Sequence, residues 1–408
     1  MASVCFYFQV HQPLRIKRYR VFDIGEDHNY FNDNSESSLN NKWILDRVTN
    51  KSYLPTNQLL LELLDTYPEF KISFSLSGIF LEQIEKDFPA VLKSFQRLVN
   101  TGRVEILSET YYHSLAFLYS REEFEEQVEM HKKIIKRLFK VTPKVFRNTE
   151  LIYNNELAVE VEKMGYDGII AEGADHILTW KSPHFLYRPV GTKKLKVMLK
   201  DYKLSDDIAF RFSNKDWSEH PLSAEKFASW INAINGNGQI VNLFMDYETF
   251  GEHQWEESGI FEFMRFLPSK ILEHKDNDFV TPSEAIKRYD VVGEHDAHSF
   301  YSWADEERDL SAWLSNSMQR DSMSKLYSLR EKVFSTKDKK IIEDWRRLST
   351  SDHFYYMCTK WFADGDVHKY FNPYESPYEA FIAFMNVLAD LKLRIELKLN
   401  KKECKKKS

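Results

Sequence analysis

Seven short apolar runs alternate with helical patterns over the first part of the 408-residue chain, and no other feature limits the fold as strongly. The runs are Val4–Val10, Lys71–Leu76, Arg103–Leu107, Lys144–Phe146, Gly168–Ala171, Gln239–Met245 and Asp278–Val280. Most are nearly continuous in Val, Ile and Phe, as strands buried on both faces are. Leu59–Tyr67, Pro89–Asn100, Glu123–Lys140, Asn155–Met164, Ala224–Ile234 and Gly259–Ile271 carry helical periodicity between them. Pro89 suits a first helical position, and Gly165 suits a helix C-terminus. Strand alternating with helix predicts right-handed βαβ units and a parallel sheet. The number of runs predicts an α/β fold, an incomplete (β/α)7 TIM-like barrel. Leu186–Lys200 reads as a hairpin inserted between the fifth and sixth runs. After Ala304 the strand signals stop and helical patterns follow: Leu310–Met318, Ser322–Val333, Lys339–Leu348, Asp352–Phe362 and Pro377–Leu399. The expected organisation is a barrel over 1–303 with a hairpin near 186–200, a helical C-terminal region over 304–400, and a short basic tail over 401–408.

Composition narrows the function classes. Hydrophobic residues make up 43% and charged residues 29%, with 13 Gly and 12 Pro, which excludes a mainly disordered or fibrous chain. The 56 basic residues fall short of the 62 acidic ones, so the formal charge of −6 argues against a nucleic-acid partner. Aromatics reach 15%; they serve core packing, and flat rings are also what sugar faces stack on. Cys5, Cys358 and Cys404 are far apart and make no CxxC, which disfavours a disulfide framework or a Cys-based zinc site. The N-terminus lacks a basic segment followed by a long apolar core, and no apolar run is long enough to span a membrane. The expectation is a cytoplasmic protein with no cofactor, no metal, no membrane partner and a solvated basic tail.

Polar residues follow almost every strand-like run. They are His11-Gln12-Pro13, Ser77-Gly78 with Glu82, then Glu109 with Tyr111, Tyr112 and His113. Further along come Arg147-Asn148-Thr149-Glu150, Glu172 with Asp175, Asp246-Tyr247-Glu248 with His253, and Thr281-Pro282-Ser283-Glu284. In a parallel barrel the C-terminal strand ends converge on one face, which holds the active site. A carboxylate-rich mouth suits glycoside hydrolysis, which uses a pair of carboxylates. Plainer readings exist for several of these residues. Glu82 could be a helix-surface acid, His11 a satisfied core histidine, and Ser283 part of a helix N-terminus capped by Thr281 or by itself. Glu150 and Asp246 each end an apolar strand, where a lone buried charge costs several kcal/mol unless paired or used.

Five motifs in order carry a resemblance: His11-Gln12-Pro13; Gly78–Gln83; Phe146–Tyr153; Met245–His253, which reads MDYETFGEH; and Thr281–Ala285. Together they resemble glycoside hydrolase family 57, the α-amylase-type family with an incomplete (β/α)7 barrel and a helical region after it. The resemblance implies a retaining mechanism with Glu150 as nucleophile and Asp246 as general acid/base. Some members of that family lack one or both carboxylates; this chain keeps both, which implies an active enzyme on α-1,4-linked glucans. Substrate contacts are then expected at His11, Gln12, Glu82, Tyr112, His113, Arg147, Glu248, His253, Trp303 and Asp305. Arg147 has two readings: it keeps the nucleophile ionised, or it pairs structurally with another acid.

Three alternatives remain at this point. One is a 4-α-glucanotransferase, which shares the covalent intermediate and differs in its acceptor. Another is a zinc-dependent polysaccharide deacetylase-like barrel, for which His295 and His298 form the nearest pair and an H-x-x-x-H pair is absent. The third is a non-catalytic glycan-binding protein, which would have no need of a nucleophile.

Overall fold

The N-terminal apolar run becomes a fully buried strand, Ala2–Val10 (β1), in the computed structural model, which describes residues 2–33, 38–360 and 367–407. Seven further strands run parallel to one another: Ile72–Leu76 (β2), Val104–Ile106 (β3), Val145–Arg147 (β4), Gly168–Glu172 (β5), Lys196–Lys200 (β6), Ile240–Asp246 (β7) and Asn277–Phe279 (β8). Ladders join β3–β2–β1–β7 and β4–β5–β6. Two links close the ring: a parallel bridge between Ser108 and Phe146, and the Asp201 N–H donating to the Asn242 carbonyl at 2.9 Å. The strands β1 to β7 therefore form a seven-stranded parallel barrel, the fold the sequence predicts.

One stave differs from the one expected. Lys196–Lys200, read as a hairpin arm, pairs in parallel with β5 from Gly168↔Lys196 to Glu172↔Lys200. Of the hairpin, the described residues show an antiparallel bridge between Tyr187 and Val197. The run at Asp278, read as the last stave, instead pairs with the foot of β1, from Ala2↔Asn277 to Val4↔Phe279. Val197, Met198 and Leu199 are fully buried, so β6 meets the same burial requirement as its neighbours.

Alternate residues of the strands point inward, as the pleat dictates. Cys5 and Tyr7 of β1, Leu107, Val145, Ile170, Met198 and Phe244 form one buried cluster, closed below by Val280, Ala285 and Ile286. The connecting helices begin where the sequence supplies caps. Asn154 accepts from Leu157 N–H ahead of Asn155–Lys163, and Ser223 from Lys226 N–H ahead of Ala224–Asn232. Thr281 and Glu284 form a reciprocal capping box ahead of Pro282–Arg288.

The chain divides into two compact units. The barrel unit is Met1–His11, Asp46–Thr110 and Val128–Trp303; the second is Gln12–Leu45, Tyr111–Gln127 and Ala304–Ser408. The second unit is helical after Ala304, with Ser317–Ser328, Lys339–Leu348 and the long Pro377–Lys407 as its main helices. Buried polar bonds join its scattered segments. Tyr30 donates to Asp390 at 2.5 Å and accepts from Arg394 at 2.7 Å, and Arg346 pairs with Glu123 at 2.9 Å. The backbone of the expected basic tail continues the last helix to Lys407, while Ser408 and Phe362, the expected end of another helix, lie outside the described residues. No helix among the described residues is long and apolar enough to cross a membrane.

Candidate active site

Because all the strands run the same way, their C-terminal ends open on one face of the barrel. Above the apolar interior, successive staves present charges that alternate in sign: Glu109 after β3, Arg147 on β4, Glu172 on β5, Lys200 on β6 and Asp246 on β7. Arg147 Nη1 lies 3.7 Å from Glu109 Oε2, with both side chains fully buried. Lys200 Nζ lies 3.5 Å from Glu172 Oε2 and 3.1 Å from Asp206 Oδ1. Alternation lets each buried charge face an opposite one, which low-dielectric surroundings demand. The Glu109 contact is a pairing of the kind the second sequence reading of Arg147 describes.

Glu150 sits on the turn Thr149–Leu151, with φ 58° and ψ 24°, and Leu151 follows with φ 51°. Two consecutive left-handed residues, neither of them glycine, cost about 1–2 kcal/mol each. Leu151 offsets this by burying its side chain completely in the barrel core. The turn turns the Glu150 carboxylate toward Trp303. The indole Nε1–H donates to Glu150 Oε2 at 2.9 Å, and Trp303 N–H reaches the Glu150 carbonyl at 3.3 Å. The centre of the same ring lies 5.4 Å from the Arg147 guanidinium and 5.4 Å from the Lys200 ammonium. Trp303, expected as a sugar contact, connects Glu150 to both cations of the charged layer.

Asp246 ends β7 opposite Gln9 of β1 and is partly exposed. Tyr7, two residues below Gln9 on β1, carries a hydroxyl whose pKa is pushed up chiefly by burial. Arg147 opposes that shift, while Glu109 and Asp246 add to it, so Tyr7 feels the ends of both β4 and β7. The loop after Asp246 is tightly stitched. Glu248 accepts from the Tyr53 hydroxyl, His253 N–H bonds the Glu248 carbonyl at 2.9 Å, and Arg47 pairs with Glu252 at 2.7 Å. Gly251 holds φ 98°, and a Cβ there would lie 2.0 Å from the Lys51 carbonyl oxygen, so only glycine fits. Burial lowers the His253 pKa to about 4 and keeps its ring neutral.

The other expected residues divide between the units. On the barrel, His11 Nδ1 meets Ser77 Oγ at 2.7 Å, and Glu82 lies partly exposed on the helix Gly78–Asp87. Gln12, Tyr112, His113 and Asp305 belong to the second unit. There Gln12 accepts from Arg15 at 3.3 Å, and Tyr112 packs against Tyr111 with centroids 4.9 Å apart. The His113 carbonyl takes the Ser351 N–H at 2.9 Å. Burial pushes the Asp305 carboxyl up, but His368 at 2.9 Å and Lys360 outweigh it and hold the group below the usual range. The residues that the sequence left unassigned are Glu109, Glu172 and Lys200. The available signal was the charge closing each buried run, KVMLK included.

Glycoside hydrolysis uses a pair of carboxylates, and this parallel barrel carries Glu150 after β4 and Asp246 at the end of β7. The glycosyl hydrolase family 57 model matches residues 5–298, and the chain belongs to that family. It is 43% identical over 412 residues to a Methanocaldococcus jannaschii protein named "Putative alpha-amylase", covering 98% of this chain and 86% of that one. It is 27% identical over 259 residues to the 4-alpha-glucanotransferase of Thermococcus litoralis, covering 62% of this chain and 37% of that one. Among solved structures, the family 57 branching enzyme of Pyrococcus horikoshii superposes with a TM-score of 0.66 at 15% identity, over 91% of this chain and 87% of that one. That likeness extends the barrel fold to this chain.

Proposed function

We propose that the protein is a cytoplasmic, retaining glycoside hydrolase that cleaves α-1,4-linked glucans, with Glu150 as nucleophile and Asp246 as general acid/base. The observation that carries this reading is the Glu150 carboxylate, set on a left-handed turn and bonded by Trp303 above the same barrel interior that Asp246 borders. Glu150 attacks the anomeric carbon, and the glycosidic bond breaks toward the leaving oxygen, which takes the Asp246 proton. Asp246, now ionised, removes a proton from water, whose oxygen replaces Glu150 on the sugar and restores both groups. A retaining pair stands ~5–5.5 Å apart, close enough for direct attack with no water between. Binding alone would not require a carboxylate oriented at this cost.

Transfer is the second reading, favoured by the similarity to the glucanotransferase of T. litoralis. A sugar hydroxyl then replaces water in the second step. The test is incubation of the protein and its Glu150→Gln variant with maltooligosaccharides, followed by product sizing and anomer assignment. Shorter α-anomeric products from the parent and none from the variant support hydrolysis; longer products as well indicate transfer. Full turnover by Glu150→Gln overturns the assignment.

A further inference from the structure

A cleft of about 650 Å³ lies on the barrel unit, lined by the helix Leu54–Thr66, the loop after β7 and the helix Ile260–Leu272. None of the residues of the charged layer, nor Glu150, lines it. We propose that this cleft is a second binding site for a neutral α-glucan chain, distinct from the catalytic mouth. The inference rests on the glucan reading above and adds a place where the polymer is held.

Its platform is Trp255, which is 63% exposed. A flat apolar ring of this kind is a surface on which the face of a sugar stacks. The loop that carries it is held in place. Gly251 N–H bonds the Gln254 carbonyl at 2.9 Å, Gln254 N–H bonds Thr249 at 3.0 Å, and the Gln254 amide reaches the Ala209 carbonyl at 2.8 Å. Little backbone freedom is lost when a ligand settles on a loop held in this way. Phe261 adds a second ring to the lining.

The facing wall is polar and already organised. Glu62 accepts from the Gln58 amide at 2.9 Å and from Arg265 at 2.9 Å. Guanidinium, carboxamide and carboxylate groups carry more donors and acceptors than these bonds use, and sugar hydroxyls can pair with the rest. The charges select against anions, since Glu62, Glu256, Glu257 and Glu262 face only Lys51 and Arg265. Nucleic acids and phosphorylated sugars are thereby disfavoured, and a neutral polysaccharide is not. An exposed ring, fixed polar groups and a cleft of ligand size together describe a sugar-binding surface. Trp255 stands on the loop that begins at Asp246, so a chain held there stays near the barrel mouth.

The test uses the full chain in the Glu150→Gln background, where bound glucan survives. Native electrophoresis through gels containing soluble starch measures retention as an apparent dissociation constant. Trp255→Ala is expected to weaken retention at least fivefold, and Trp255→Phe to keep it within twofold. In the Glu150-intact protein, Trp255→Ala is expected to lower kcat/KM on starch at least fivefold more than kcat/KM on maltotriose. Equal retention of Trp255→Ala and its parent overturns the cleft and leaves the catalytic assignment standing. An equal fall on starch and maltotriose also overturns it, because Trp255 would then serve the catalytic mouth itself. Normal turnover by Glu150→Gln overturns the catalytic assignment, whatever the retention measurements give.

Discussion

Replacing Trp303 with Phe removes one atom group of consequence, the Nε1–H that bonds Glu150 Oε2 at 2.9 Å. A hydrogen bond to a charged group is worth about 1.5–3 kcal/mol. That bond orients the carboxylate on its left-handed turn. If the full value is lost from the attack geometry, the rate of glycosyl-enzyme formation falls about 10- to 150-fold. The phenyl ring keeps its place over Arg147 and Lys200, each 5.4 Å from the indole centre, so the stability loss stays below about 1.5 kcal/mol. The assay pairs steady-state and burst kinetics on a maltooligosaccharide with urea unfolding of the same preparation. A normally stable Trp303→Phe protein whose kcat/KM lies within threefold of the parent would refute a positioning role for this bond.

Other outcomes follow from the same geometry. Arg147→Met removes the buried cation beside Glu109 and is expected to destabilise the fold by about 3–5 kcal/mol in urea titrations, with Arg147→Met/Glu109→Gln recovering part of the loss. Gly251→Ala drives a Cβ toward the Lys51 carbonyl in a left-handed conformation, and should lower the melting temperature and the activity together; an unchanged melting curve would sink the steric argument. Burial, with Lys181 adding to it, lowers the His295 pKa to about 4. Its folded value therefore lies below its unfolded one, so the stability is complete above about pH 6.5 and drains away as pH falls toward 4, by up to ~3 kcal/mol. His295→Gln should flatten that acid-side decline in unfolding free energy, and parallel curves for the two proteins would contradict it.

Strands buried on both faces announce themselves, which is why β1 and β7 could be read directly from their apolar runs. β6 could not, because Lys196 and Lys200 bracket it and read as surface charge. In the fold, the Lys196 ammonium bonds the carbonyls of Ile286 and Tyr289, and Lys200 lies between Glu172 and Asp206. All of those partners but Asp206 are distant in sequence, so no local pattern betrays them. Glu150 and Asp246 stood out as charges closing apolar strands, but the left-handed turn at Glu150 did not. Glutamate and leucine carry no preference for positive φ, and the conformation is imposed by burial of Leu151. The membership of Gln12–Leu45 and Tyr111–Gln127 in the second unit was equally hidden. It depends on contacts between residues far apart in the chain, such as Glu123 with Arg346.

That scattered membership has a consequence for how the protein is made. Tyr30 waits for Asp390, 360 residues downstream. At ordinary translation speeds of about 5–20 residues per second, the early segment leaves the ribosome ~20–70 s before its partner exists. During that interval its buried tyrosines and phenylalanine are open to solvent and to other nascent chains. Synthesis must therefore pass through a long-lived, half-clothed state. A stop codon placed after the barrel would make that state permanent, yielding an orphaned segment rather than a smaller working enzyme.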